Sequence, residues 1–88
     1  MTPAIPPGDR FGPWAVGLDE AERRARLRSM RALTRVLCGP RGAELAAHLG
    51  RAEHDPSALP FAAEALNRLP SVDRRHLLTS YAALDRAA

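Results

Sequence analysis

Four arginines recur at intervals of four, three and four residues in the first half of the chain: Arg24, Arg28, Arg31 and Arg35. On a helix this spacing places all four guanidinium groups along one edge, over about 16 Å of the helix axis. Duplex nucleic acid carries one phosphate charge for about every 1.7 Å of its length. The spacing of these residues, which we call the arginine stripe, therefore predicts contact with the phosphates of a nucleic acid.

Local ion pairs explain only the first member of the arginine stripe. Glu20 stands four residues before Arg24, a separation at which opposite charges pair on a helix. The other three members have no acidic residue three or four positions away, although Glu44 or Glu64 could reach them from a neighbouring helix. Two interpretations stay open: the stripe binds an anionic partner, or it is the solvent-exposed face that a central helix requires.

Positive charge is concentrated in one part of the chain. The net charge is +3, but residues 23–51 hold eight arginines against one acidic residue and carry +7. The segments before and after them carry −3 and −1. Such an asymmetry is expected of a surface that meets a polyanion or an acidic protein.

Length and composition indicate one small all-α domain. The chain has 88 residues, of which 45% are hydrophobic and 26% charged, as is usual for globular proteins. Its apolar residues are mostly leucine and alanine, with few aromatics, and these favour closely packed helices. A core of this size stabilises a domain only modestly, which leaves room for a homodimer.

The sequence predicts a cytoplasmic protein that is neither secreted nor inserted in a membrane. The single cysteine, Cys38, cannot form an intramolecular disulfide, whereas small secreted domains usually carry paired cysteines. The N-terminus lacks a basic region followed by an apolar one, and no stretch reaches 18 uninterrupted apolar residues.

Capping and breaking residues divide residues 19–88 into a compact bundle of about four short helices. Asp19, with Glu22 three residues later, is a capping signal at the start of the first helix, and Gly39 followed by Pro40 ends it. Apolar residues surround more than half of this helix, so we expect it to be central and packed on two sides. The predicted helices span residues 19–38, 41–52, 56–69 and 72–86.

Residues 1–18 form a predicted extended and flexible arm, because prolines and glycines are frequent there. Its two large aromatic residues, Phe11 and Trp14, lie outside any helical pattern. In one interpretation they lie across a helix groove and complete a thin core. In the other, they form a segment that docks onto a partner protein.

Residues 43–50 resemble the first helix and turn of a helix-turn-helix motif, in which an alanine followed four residues later by a glycine allows tight packing. Ala46 and Gly50 have this spacing. Pro56 stands where such motifs place a buried branched residue, so the motif requires a longer turn in this chain. The resemblance implies that exposed polar residues of the next helix lie near a nucleic-acid groove. These residues are Ser57, Glu64, Asn67 and Arg68.

No motif for catalysis, metal binding or cofactor binding is recognisable. The one cysteine and the three histidines lack the short paired spacings of common zinc sites. Two serines stand at predicted helix starts, where capping explains them. We therefore predict no catalytic residue, metal or cofactor, and we expect a packed, unreactive thiol at Cys38.

These observations predict a small non-enzymatic binding protein that associates with nucleic acid through the arginine stripe, as a regulator or a DNA-packaging accessory. The alternative is an adaptor or inhibitor that docks an acidic protein partner through Phe11, Trp14 and a helix surface. The first hypothesis depends on charge alone, whereas the second also requires that the aromatic segment be available to a partner.

Overall fold

Helices account for all regular secondary structure in the part of the chain that the structure, a computed structural model, describes: residues 12–87, with side chains up to residue 84. The helices are α1 (Glu20–Cys38), α2 (Ala43–Ala52), α3 (Leu59–Arg68) and α4 (Ser71–Ala87). Short 3-10 turns precede α2 and α3. The Cα radius of gyration is 11.8 Å, close to the roughly 12 Å expected of a compact chain of this length. The predicted all-α class and compact shape are confirmed.

Both ends of α1 carry the predicted signals. The Asp19 carboxylate accepts a hydrogen bond from the Glu22 backbone N–H at 2.7 Å, which satisfies a donor that the helix itself leaves unpaired. Gly39 follows the last helical residue at a φ of 55°, in the left-handed region that glycine enters without strain. The helix begins one residue after the predicted bound and ends at it.

Prolines account for the differences between the predicted and observed helix bounds. Pro40 lies in a 3-10 turn, so α2 begins two residues after its predicted start. The predicted helix at residues 56–69 is divided, because a 3-10 turn starts at Pro56 and α3 follows it. Pro70 favours an extended conformation at Leu69, which ends α3.

α1 lies at the centre of the fold and contacts both α2 and α4, as its apolar pattern predicts. Leu27 and Met30 of α1 are buried, and so are Leu49 of α2, Leu66 of α3 and Leu77 of α4. Full burial of such a side chain stabilises the folded state by roughly 1.5–3 kcal/mol. All five belong to one apolar cluster, so the arginine stripe is carried by the helix around which the core forms.

The connection between α1 and α2 is tightly packed around Gly42. A Cβ atom on this residue would lie 2.6 Å from Cγ2 of Thr34 and 2.8 Å from Cβ of Cys38, well inside the normal carbon–carbon separation. The buried Thr34 hydroxyl donates to the Met30 carbonyl oxygen at 2.7 Å, so its polar group is satisfied. These contacts fix the end of α1 against the start of α2.

The segment before α1 packs against the helices along the part of the predicted arm that is described. Pro13 and Ala15 are buried, and the Trp14 indole Nε1 donates to the Leu59 carbonyl oxygen at 2.8 Å. Arg23 of α1 donates to the carbonyl oxygens of Pro13 and Ala15 at 3.1 and 2.7 Å. A side chain of α1 therefore satisfies backbone acceptors that lie outside any helix.

Two further arginines join separate elements of the fold. Arg41 and Asp73 form a two-point ion pair, at 2.7 and 3.1 Å, between the turn after α1 and the first turn of α4. Arg74 donates to the carbonyl oxygens of Asn67 and Leu69 at 2.9 and 3.3 Å, where α3 ends. These bonds account for a cation at Arg74, near a helix N-terminus that otherwise disfavours positive charge.

Candidate anion-binding site

The arginine stripe lies on the side of α1 that borders α2, where surface depressions separate the two helices. One depression, which we call the acid-free groove, is lined by Arg31 and Arg35 and has a volume of about 500 Å³. A second, which we call the mixed hollow, is lined by Arg24 and has a volume of about 260 Å³. The two depressions give different members of the stripe different surroundings.

Small and uncharged residues form the rest of the acid-free groove: Gly39, Pro40, Ala43, Ala46, Ala47 and Gly50. No acidic residue lines the groove. Arg35 is exposed, and its side chain has no hydrogen-bond or ion-pair partner among the described side chains, those of residues 12–84. Two guanidinium groups thus border a groove whose own lining holds no carboxylate, and guanidinium is the side-chain cation best suited to two-point binding of phosphate or carboxylate.

Glu53, the residue directly after α2, binds two members of the stripe. Its side chain is only 4% exposed, and its Oε1 accepts a hydrogen bond from Arg28 Nε at 2.7 Å. Its Oε2 lies 2.9 Å from Arg31 Nη1, although no well-aligned hydrogen bond from the described residues reaches this oxygen. The second contact is therefore an ion pair of poorer geometry.

Arg28 and Arg31 have no acid three or four positions away in α1, and their partner from outside the helix is Glu53 rather than Glu44 or Glu64. Glu53 reaches them across the boundary between the two helices, from 25 and 22 residues along the chain. The interaction leaves Arg28 mostly exposed, with 63% of its side chain accessible. One carboxylate serves two guanidinium groups, so the pairing reduces the positive charge of the stripe without removing it.

Gly50 makes room for the Arg31 side chain on the surface of α2. A Cβ atom at Gly50 would lie 2.9 Å from Arg31 Nη1 and 3.6 Å from its Cδ. The missing side chain at this position therefore lets the arginine lie flat against α2. Glu53 and Gly50 together hold Arg31 in one place beside the acid-free groove, which lowers the conformational entropy that the side chain loses on binding a ligand.

The mixed hollow combines arginines with acidic side chains. It is lined by Arg23 and Arg24 and also by Glu20 and Glu53. Arg23 is already bonded to backbone carbonyl oxygens. The expected ion pair between Glu20 and Arg24 does not form in the described structure, but the two charges line the same depression and offset one another at longer range.

The two acids that sequence analysis offered as partners from neighbouring helices bind elsewhere. Glu44 forms an ion pair with Arg68, and its Oε1 lies 3.9 Å from His48 Nε2. Glu64 lies 3.8 Å from the same Arg68 guanidinium. Within single helices, Glu64 pairs with Arg68, and Glu22 pairs with Arg26 at 3.0 Å, both at the four-residue separation that favours such pairs.

The packing of α2 differs from that of the helix-turn-helix motif it resembles in sequence. The resemblance implies tight packing at its alanine and glycine, and the three atoms nearest to a Cβ on Gly50 all belong to Arg31 of α1. Ala46 also lines the groove on the α1 side. The spacing of Ala46 and Gly50 therefore serves the contact with α1, and the motif gives no support to a recognition role for α3.

The structure places Trp14 at the edge of the core. Its ring is partly buried against the apolar cluster, and its N–H group is satisfied by Leu59. For Trp14, this is the arrangement expected if the aromatic segment lies across a helix groove and completes the core. Phe11, its proposed companion, lies outside the described residues.

The remaining side chains that could do chemistry, Cys38 and His48 among them, pack against other side chains of the fold. Burial raises the pKa of the Cys38 thiol above its ordinary value, and the nearby Asp73 carboxylate adds to this rise more than Arg41 opposes it. The expected packed thiol is confirmed. The His48 ring stacks on Phe61 with 6.0 Å between ring centroids. No group of three potential metal ligands occurs among the described residues.

Comparison with known proteins adds no assignment to this geometry. No protein-family model, curated protein or solved structure matches the chain. Within the described part, no helix has the length and apolar character needed to cross a membrane. The functional argument therefore depends on the residues of the site themselves.

Sequence analysis missed two residues of the site, Glu53 and Gly50. Glu53 was assigned to the break after the second helix, yet it continues the four-residue spacing of the buried Leu45 and Leu49. An acid at that position points inward and requires a cationic partner. The helix-turn-helix resemblance of Gly50 implies tight packing there but does not predict its contact with Arg31.

Proposed function

We propose that this protein binds nucleic acid through the arginine stripe, as a small non-enzymatic cytoplasmic protein with a regulatory or DNA-packaging role. The observation that carries the proposal is the charge balance of the stripe. Four arginines share one edge of α1, and Glu53 is the only carboxylate among the described residues that forms ion pairs with them. The excess positive charge lies on a surface that a phosphate backbone can reach.

The exposed members of the stripe supply the binding energy in this proposal. The Arg35 side chain has no partner among the side chains that the structure describes, and most of the Arg28 side chain remains accessible beside its bond to Glu53. Contacts of this kind position a protein on nucleic acid without reading its sequence. We therefore expect binding with little sequence preference.

The proposal is tested by fluorescence anisotropy with labelled duplex and single-stranded DNA. The wild type is compared with the triple variant Arg28→Ala, Arg31→Ala, Arg35→Ala, and with Arg75→Ala on α4 as a control for loss of charge outside the stripe. If three phosphates are neutralised, wild-type affinity falls roughly 40-fold between 50 and 200 mM salt. Equal binding by the wild type and the triple variant would overturn the proposal.

The second candidate is an adaptor or inhibitor that binds an acidic protein. One observation favours it: Val36, directly after Arg35, is 79% exposed, so a protein that pairs its acids with the stripe would also have an apolar side chain to cover. The internal hydrogen bond of Trp14 removes the support that the aromatic segment gave this function. Tight binding of poly-glutamate in the absence of any binding to DNA would favour this candidate.

A further inference from the structure

We infer that the acid-free groove between α1 and α2 is the place where the protein receives a phosphate of the nucleic-acid backbone. The inference rests on the proposed function and specifies its contact: Arg31 and Arg35 hold the phosphate from the α1 side, while the small residues of α2 let the backbone approach. Only part of the stripe then binds this phosphate, because Arg24 lines the mixed hollow and not the acid-free groove.

The two arginines of the groove complement one another. Arg31 is fixed by Glu53 at 2.9 Å and by its position over Gly50, so it presents a guanidinium group with little freedom to lose. Arg35 stands one turn further along α1, about 6 Å along the axis, and is exposed without a partner among the described residues. The guanidinium group of Arg31, which is held in place, and that of Arg35, which is free to turn, can therefore bind the same anion.

The α2 side of the groove has no side chain that extends beyond Cβ. Ala43, Ala46, Ala47 and Gly50 line it, and none of them can repel an anion or block its approach. The volume of about 500 Å³ falls in the range of ligand-sized sites. The depression is therefore large enough for a sugar–phosphate unit.

The same lining favours a phosphate backbone over an acidic peptide. A peptide that docks between helices gains most of its affinity from large side chains buried in apolar pockets. Here the apolar lining consists of alanine, glycine and proline, which offer little area to such an anchor. Charge complementarity with a phosphodiester is what the groove provides.

The test compares substitutions that add the same charge at two places. Ala47→Glu puts a carboxylate at the rim of the acid-free groove, whereas Ala83→Glu adds one on the exposed surface of α4. Ala47→Gln matches the first variant in size without its charge. With labelled DNA at 100 mM salt, we expect Ala47→Glu to weaken binding at least tenfold, and Ala47→Gln and Ala83→Glu to change it less than threefold.

The outcomes separate this inference from the proposed function. If the triple arginine variant loses binding while Ala47→Glu behaves as Ala83→Glu does, the groove assignment is wrong and the stripe still binds nucleic acid. If the wild type does not bind DNA, both fail. Displacement of DNA by poly-glutamate at equal charge concentration would overturn the choice of phosphate over an acidic peptide.

A measurement on the wild type keeps the test valid if Ala47→Glu does not fold. An oligonucleotide is titrated into ¹⁵N-labelled protein, and the amide chemical-shift changes are mapped. We expect the largest changes at Ala43, Ala47 and Gly50, together with Arg35. Changes confined to the mixed hollow or to α4 would contradict the inference.

Discussion

The acid-free groove and the mixed hollow lie between the same two helices and are both lined by arginines, yet their charge differs. Arg31 and Arg35 border the first without any acidic neighbour in its lining. Arg23 and Arg24 border the second together with two glutamates. The position of the acids, rather than the number of arginines, therefore decides which part of the surface remains available to an anion.

Several arginines of this chain stabilise the fold and do not contribute a binding surface. Arg23 and Arg74 donate to backbone carbonyl oxygens at places where a helix or turn leaves them unpaired, and Arg41 joins α4 to the turn after α1. The number of arginines in a segment of the sequence is consequently larger than the number whose guanidinium groups are available to a partner.

The largest effect on stability is expected from a substitution in the apolar core, on the helix that borders both depressions. Leu49 is fully buried on α2, and Leu49→Ala should lower the free energy of unfolding by about 2–5 kcal/mol, because it removes buried methyl groups and leaves a cavity. Urea denaturation followed by circular dichroism measures this loss. A loss below about 1 kcal/mol would show that the core is not organised as described.

Glu53→Gln should weaken the contrast between the depressions, because it removes the charge of an acid that lines the mixed hollow and binds the stripe. We expect a loss of about 1–3 kcal/mol in the free energy of unfolding, since charged hydrogen bonds at a buried side chain are lost. In DNA titrations, the slope of log affinity against log salt concentration should steepen by about one unit, because an arginine is released for phosphate contact. An unchanged stability together with an unchanged slope would contradict the assigned role of Glu53.

Trp14→Phe tests whether the segment before α1 belongs to the fold. The variant keeps an aromatic ring but removes the hydrogen bond to Leu59, at a cost of about 1 kcal/mol. DNA affinity should remain within twofold of the wild type, because the indole lies away from the acid-free groove. Loss of binding without loss of stability would instead support a docking role for this residue.

The smallest effect on stability is expected from the loss of one ion pair as the pH is lowered. The Arg41 guanidinium lowers the pKa of Asp73, and Ser57 lowers that of Asp55 through hydrogen bonds. Because the folded pKa lies below the unfolded value, each pair stabilises the protein at neutral pH, and this contribution is lost as the pH falls from about 5 through the lowered pKa. Asp73→Asn should therefore lose less stability than the wild type between pH 7 and pH 3 in urea denaturation. An equal loss in both proteins would show that the ion pair contributes nothing.

The sequence predicted the helical class and the ends of α1 because these depend on local signals. The cap at Asp19 and the glycine at Gly39 act within a few residues of their positions. The start of α2 was less accurate, since Pro40 lies in a 3-10 turn that includes two residues predicted to be helical, and the predicted helix at 56–69 begins with a 3-10 turn at Pro56.

The candidate site was predicted only in part, because its acid is distant in sequence. The spacing of the arginines predicted that they share one edge of α1, but the partner of Arg28 and Arg31 comes from the residue after α2. No rule that compares positions three or four apart can find such a contact. The four-residue spacing of Leu45, Leu49 and Glu53 was the signal in the sequence that Glu53 faces inward and needs a cationic partner.

The most direct test of the central claim compares two single variants at opposite ends of the stripe. Arg35→Ala removes a guanidinium group from the acid-free groove, and Arg24→Ala removes one from the mixed hollow, with the same change in net charge. At 100 mM salt, loss of one phosphate contact weakens binding roughly eightfold. We predict this loss for Arg35→Ala and a change of less than twofold for Arg24→Ala. Equal losses, or a larger loss for Arg24→Ala, would contradict the claim that the acid-free groove receives the anion.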